Sequence, residues 1–316
     1  MTFGQEKAVG EGWSAIVFGA GRITVADVTR PRDAPPRVVA CDSFAREGSD
    51  LDALKRLKNA KRLSKRRCTT LLWHGQYQLL QVDAPTSLPE NMPREELRDA
   101  LRWRIKEMVD FPVEQAAIDV LDIPAQGART PQLWVVAASH TVLQPRIQLF
   151  QDARAPLAAI DIPELAQRNL AALFEEPNRG LALVAFNDKG GLLTVSYQGE
   201  LYMTRHIDVS GPELTAGMAN SGGANVGALQ ERVLLDIQRS LDSFDRNFSA
   251  IPLTRLLVGP LPGGAAFIEY LGGNLSLPVA AANLAEVMDF TATQRLKETV
   301  AQADAWLALG AALRDK

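Results

Sequence analysis

Two stretches decide how this chain folds. The first is Ser14-Ala-Ile-Val-Phe-Gly-Ala-Gly-Arg-Ile-Thr-Val-Ala-Asp-Val28, and the second is Leu181-Ala-Leu-Val-Ala-Phe-Asn-Asp-Lys-Gly-Gly-Leu-Leu-Thr-Val-Ser-Tyr197. In the first, Ile16 and Phe18 alternate up to a Gly19-Ala-Gly21 turn, Ile23, Val25 and Val28 follow, and Val38 and Val39 begin a third apolar run. That pattern predicts three short strands joined by tight turns. The second stretch repeats it, with strands at Leu181 to Phe186, Leu192 to Tyr197 and Leu201 to Ile207 across Gln198-Gly199. A strand triplet that occurs twice, each time followed by alternating helices and strands, predicts a duplicated α/β fold of two related halves with one cleft between them.

Between and beyond the triplets the helical signals are clear. Leu51, Leu54, Leu57 and Leu63 mark a helix whose other faces carry Lys55, Arg56, Lys58, Lys61, Arg62, Lys65, Arg66 and Arg67. Thr69 to Val82 reads as a hairpin turning at His74-Gly75. Pro93 can open a helix, and Leu97, Leu101, Ile105 and Met108 recur at three- and four-residue steps. Glu95, Glu96 and Asp99 lie in its first half and Arg102, Arg104 and Lys106 in its second, as the helix dipole favours. Ala116 to Ile123 and Leu133 to Ala137 read as strands, Thr141 to Ala153 and Pro163 to Phe174 as helices. Gly217 to Gly227 is expected to be a loop leading into a helix through Leu229, Val233, Ile237, Leu241, Phe244 and Phe248. Arg255 to Val258 is a strand, and Leu296, Val300, Ala303, Leu307 and Leu313 mark a closing helix.

Composition narrows the function classes. The chain has 316 residues, 47% hydrophobic and 22% charged, with a formal net charge of -3, which points neither to nucleic acid nor to a generally acidic partner. Met1 to Gly12 lacks a basic region followed by an apolar stretch, so no secretory signal is read there. Leu256 to Ala285 is interrupted by prolines, glycines and Glu269, short of the roughly 20 continuous apolar residues of a spanning helix. Cys41 and Cys68 have no metal-ligand or CxxC spacing, so neither a disulfide nor a zinc site is expected.

Four segments then resemble a known family. Tyr77-Gln-Leu-Leu-Gln-Val-Asp-Ala-Pro85 with Arg94-Glu-Glu-Leu-Arg-Asp-Ala-Leu-Arg-Trp-Arg-Ile-Lys106 is similar to a hairpin and its following helix in the PilM-like branch of the actin, sugar kinase and Hsp70 superfamily, with MshI of MSHA-type pili the nearer likeness. Thr204-Arg-His-Ile207, Asp236-Ile-Gln-Arg-Ser-Leu-Asp-Ser-Phe244 and Ala308-Leu-Gly-Ala-Ala-Leu-Arg314 follow in the family's order. The resemblance implies a duplicated actin-like, ribonuclease H-like fold, two lobes around a central cleft. Residues 1–176 would form the first lobe, with an inserted subdomain around 85–138, and 177–316 the second, its last helix packing back on the first. It also implies a cytoplasmic protein, peripheral to the inner membrane, that docks the N-terminal tail of a PilN-like single-pass partner. Arg102, Trp103 and Lys106 are the expected partner-binding residues. A GspL-like cytoplasmic secretion component is an alternative.

Actin-like ATPases hold phosphates and metal between two turns, each led by an aspartate, because main-chain N–H groups crowd a phosphate only where side chains are small. Here the resemblance places Val17 and Ala185 where those aspartates would stand. Gly19, Gly21, Asn187 and Gly190 line the expected turns, and Gly259, Gly263 and Gly264 resemble the adenosine-side turn. The expectation is a degenerate nucleotide cleft with no metal site, no catalytic residue and no hydrolysis, since both positioning carboxylates are gone. The rival reading, a working ATP-binding or hydrolysing protein, needs Asp188, Asp27 or Asp208 to replace them.

The remaining patterns carry bland readings. Gly19-Ala-Gly21-Arg-Ile-Thr24 is a partial dinucleotide fingerprint, but a strand follows where that motif needs a helix. The eight Lys or Arg between Lys55 and Arg67 suit a solvated helix face better than a nucleic-acid site, having no interleaved aromatic residue. His74, His140 and His206 read as structural histidines.

Overall fold

A computed structural model describes residues 12–59, 66–85, 92–125, 131–216 and 223–314. The first triplet is β1 (Trp13–Phe18), β2 (Arg22–Thr29) and β3 (Arg37–Ala45), followed by α1 (Asp50–Asn59), β4 (Arg67–Leu71) and β5 (Gln78–Asp83). Next come α2 (Arg94–Arg104), β6 (Ala116–Ile123), β7 (Gln132–Ser139), α3 (His140–Asp152), β8 (Leu157–Asp161) and α4 (Pro163–Ala171). The second triplet is β9 (Gly180–Asn187), β10 (Gly190–Tyr197) and β11 (Glu200–Ile207). Then follow α5 (Gly211–Ala216), α6 (Gly223–Asn247), β12 (Leu253–Val258), α7 (Ala265–Asn274), β13 (Val279–Ala281) and α8 (Thr299–Ala312).

The strands form two five-stranded sheets of one design. Their orders are β3-β2-β1-β4-β8 and β11-β10-β9-β12-β13. In each, the triplet pairs antiparallel and the next two strands add on parallel to its first strand. The duplication expected from the two quoted stretches is thus present strand for strand.

The layer between the sheets is built by exchange. Helix α4, which ends the first half, sends Gln167 into the second sheet, where its Nε2 donates to Leu183 O at 3.0 Å, Leu192 O at 2.9 Å and Thr194 Oγ1 at 3.1 Å. Helix α8, which ends the second half, packs on β1 and β2 of the first sheet. The two helices touch each other closely: a Cβ on Gly310 would lie 2.2 Å from Ala166 O, so only glycine permits the approach. Ala15, Val17, Val28, Leu170, Leu183, Trp306 and Leu309 share the resulting core.

A third sheet, β5-β7-β6, carries α2 on one face. Leu133, Val135 and Ala137 alternate toward Leu101 and Ile105, while Trp134 turns the other way and donates its indole N–H to Leu201 O at 2.9 Å.

Several expectations need correction. Thr69 to Val82 is not a hairpin: β4 pairs parallel with β1 and β8, and β5 pairs with β7 in a different sheet. The reason is burial, because Cys68 to Leu71 are buried on both faces, as a central parallel strand requires. Pro93 occupies the cap before α2 rather than its first turn, and the helix closes at Arg104, leaving Met108 beyond it and exposed. The long helix starts at Gly223, inside the stretch expected to be a loop; the rest of that loop, 217–222, lies outside the described residues, as do Lys61, Arg62, Leu63 and Lys65.

Candidate functional site

The two triplet turns face each other across the space between the sheets. Val17 lies one residue before the end of β1, opposite Thr24, and Ala185 two before the end of β9, opposite Leu192. The turn after β1 closes by a hydrogen bond from Gly19 N to Arg22 O at 2.8 Å. The turn after β9 is held by Asn187, whose Oδ1 accepts from Lys189 N at 2.7 Å. Gly190 takes φ +146°, and a Cβ there would meet Ile207 O at 2.9 Å, which explains the glycine.

Between the turns lies a cavity of about 570 Å³. Gly19, Gly21, Asn187 and Gly190 line it, and so do Pro260, Leu261 and Pro262 of the turn after β12. Gly259, Gly263 and Gly264 belong to the same turn but are not among the residues that line the cavity. Gly259 is fixed by packing, since a Cβ would fall 2.6 Å from Ala185 Cβ and 3.5 Å from Trp306 Cζ2. The indole of α8 packs close to Gly259, and Ala185 and Trp306 both line the cavity. Arg102, Trp103 and Lys106 lie elsewhere, on and just after α2 of the third sheet.

Two of the charged groups in the cleft, Asp304 and Lys189, were not singled out by the sequence. Asp304 on α8 lines it and sits 3.5 Å from Arg22 Nε. Lys189 Nζ rests over the Trp73 ring at 4.1 Å, joining the two lobes through a cation–π contact, and burial lowers its proton affinity. Beside it the imidazoles of His74 and His206 stack with centroids 4.1 Å apart and planes at 8°. Burial, and then the charge of His74, depress the pKa of His206 below its usual value. Of the carboxylates named as replacements, Asp188 lines the cleft; Asp27 lies on β2 outside it and Asp208 borders a separate surface groove.

At the cleft wall Tyr77 donates its hydroxyl to Glu164 at 2.5 Å. Burial pushes both groups up, Glu164 chiefly by desolvation and Tyr77 by desolvation together with the carboxylate beside it. Tyr77 stays protonated, and the pair closes the wall between the third sheet and α4. Among the described residues no cluster of three or more His, Cys, Asp or Glu is arranged to hold a metal ion.

On α2, Arg102 is occupied: its Nη1 donates to Val113 O at 2.7 Å and Ala116 O at 3.0 Å. Trp103 is 67% exposed, with Lys106 Nζ 5.7 Å from its ring centroid. Trp103 thus lies at the surface beside the core stripe of Leu101 and Ile105.

Twin sheets of order 3-2-1-4-5 with a cleft between their first turns define the actin-like, ribonuclease H-like fold. Among solved structures, a chain of the PilM–PilN type IV pilus biogenesis complex matches over 96% of this chain and 98% of that one, with a TM-score of 0.75 and 19% identity. The cytoplasmic domain of EpsL, an inner-membrane component of the type II secretion system of Vibrio cholerae, matches over 92% of this chain and 94% of that one, at TM-score 0.47 and 14% identity. A Bacteroides thetaiotaomicron protein with an actin-like ATPase fold and unknown function matches over 91% and 96%, at TM-score 0.48 and 8% identity. No protein-family model matches the sequence, and no curated protein does. The likeness to the PilM–PilN chain is one of fold, and it runs nearly end to end. Among the described residues no helix is long and apolar enough to cross a membrane.

Proposed function

We propose that this chain is a PilM-like scaffold, nearest MshI in kind, at the cytoplasmic face of an inner-membrane pilus assembly platform. It docks the N-terminal tail of a PilN-like single-pass protein and does not hydrolyse nucleotide. The observation that carries the second half is the pair Val17 and Ala185, apolar at both turns that face the cleft, with Trp306 packed beside Ala185. Metal-assisted phosphoryl transfer needs a carboxylate to position the ion, and these positions supply none. The fold shared with a chain of the PilM–PilN complex supports the first half. Trp103 and Lys106 are the proposed anchors of the tail, because an exposed aromatic with a cation over it offers the large contact area typical of interface hot spots. Arg102 serves instead to brace its own subdomain.

The test is thermal denaturation of the purified chain with Mg-ATP, with ADP, and with a synthetic N-terminal peptide of a PilN-like protein. A ligand at 100 times its dissociation constant adds roughly 2.7 kcal/mol to the native state. The proposal expects that rise with peptide and none with Mg-ATP; turnover of ATP would overturn the cleft assignment, and silence of the peptide the scaffold assignment.

A further inference from the structure

Helix α6 buries Val233, Leu234, Ile237 and Phe244 in the core of the second lobe. One large apolar side chain breaks the pattern of its outer face, where Leu235 is 42% exposed. It belongs to a stripe of exposed residues, Ala228, Glu231, Leu235, Arg239 and Asp242, spaced by three and four as along a helix-pairing seam. The first four of these line the surface groove that Asp208 borders, about 450 Å³ in volume.

That groove carries both signs of charge in equal number. Arg205, Arg232 and Arg239 are matched there by Asp208, Glu231 and Asp236. Arg232 and Asp208 approach to 3.9 Å, whereas among the described residues no ion pair joins Glu231 or Arg239 to another side chain. A surface of balanced charge has no net attraction for a membrane, a nucleic acid or a strongly acidic peptide, each of which presents one sign. Its complement must instead offer an apolar residue flanked by opposite charges. The stripe itself does so, with Glu231 one turn before Leu235 and Arg239 one turn after it on the same face. Laid antiparallel about Leu235, two such helices bring the leucines together and set each Glu231 opposite the other copy's Arg239. Laid parallel, they would set like charges opposite each other.

We propose that this face of α6 pairs with the same face of a second copy of the chain, forming a two-fold antiparallel dimer centred on Leu235. Such an interface is isologous, so it closes at two subunits and does not propagate. The seam from Ala228 to Asp242 covers about four turns of helix with one leucine per copy at its centre. Association is therefore weak and concentration-dependent, and the exposed ion pairs set register more than strength. Each copy brings its own Trp103 and Lys106, so the dimer gathers two of the proposed membrane tails on one scaffold.

Sedimentation equilibrium of the full chain tests this over roughly 1–500 µM, a range that spans weak contacts of this size. A monomer–dimer equilibrium is expected in the parent. Leu235→Glu, Glu231→Arg and Arg239→Glu should each weaken it at least about fivefold, and the double reversal Glu231→Arg with Arg239→Glu should restore it to within about twofold, because the pairs re-form with their signs exchanged. Met108→Ala, at an exposed apolar residue away from α6, should leave it unchanged. In Leu235→Cys the two-fold brings the new thiols together, so mild oxidation should give a disulfide-linked dimer on non-reducing electrophoresis. All the altered α6 positions are exposed, so the variants should fold, and circular dichroism checks this. A monomer at every concentration overturns the proposal, whether the face stays bare or takes a different protein. So does a dimer indifferent to all three single substitutions, or one that the double reversal fails to restore.

Discussion

Substituting Gly310 by alanine tests the exchange of helices directly. The added Cβ would sit 2.2 Å from Ala166 O, 2.7 Å from Ala166 C and 3.2 Å from Leu170 Cδ1. A carbon normally stays about 3.3 Å or more from a carbonyl oxygen, so α4 and α8 must separate by about 1 Å. Asn169 Nδ2, which donates to Gly310 O at 2.9 Å, would be stretched as well. Overpacking costs about 1–3 kcal/mol, and contact with backbone places this case at the upper end; the better helix propensity of alanine returns about 1 kcal/mol. A net loss near 2 kcal/mol, set against an unfolding entropy of roughly 0.66 kcal/mol/K for a chain of this size, lowers Tm by about 3 °C. Gly227→Ala in α6, with nothing within 4 Å of the new methyl, is the matched control and should raise Tm slightly. Differential scanning calorimetry reads both, and a Gly310→Ala protein as stable as its parent would show that the two helices do not meet as described.

Glu164→Gln should gain on the parent as pH rises above about 4.5: the native carboxyl binds its proton more tightly than the unfolded one, so wild-type stability falls through that window, and the difference in Tm plotted against pH checks it. His206 titrates in the opposite sense, since its native pKa is depressed; stability should drop as pH falls below about 6.5, and His206→Phe, which keeps a ring against His74, should flatten that slope in urea titrations. Arg102→Ala, losing two bonds to carbonyls, should cost about 1–2 kcal/mol of stability, whereas Trp103→Ala should change it by less than about 0.5 kcal/mol and weaken only the binding of a PilN-like peptide.

Much of the architecture was legible because the triplets repeat. Alternation at Ile16, Phe18, Ile23 and Val25 and again through Val184 to Val195 specifies antiparallel strands locally, and the turns fall where glycine frees the backbone. Parallel additions carry no such local mark. Leu157 to Asp161 is an alanine-rich edge strand, only partly buried, whose partner β4 is almost ninety residues away in sequence, and β5 was joined to β4 because a turn between apolar runs reads as a hairpin wherever the strands go. Helix α7 hides behind the glycines on either side of Phe267, which only the folded core shows to be buried. The turn glycines of the cleft were found from spacing. Lys189 over Trp73, His74 on His206, and Trp306 against Gly259 are contacts between distant segments, and no pattern within one segment announces them.

The exchange of α4 and α8 has a consequence for biosynthesis. As the chain leaves the ribosome, the first sheet is complete by about Asp161, yet the helix that shields Ala15, Val17, Ala26 and Val28 is α8, which follows only after the whole second sheet. At roughly 5–20 residues per second the nascent protein carries that uncovered apolar face for about 8 to 30 seconds after β8 has appeared. Throughout that interval the first lobe exposes an apolar face of the kind that favours aggregation, and termination upstream of Thr299 would leave that face without its covering helix.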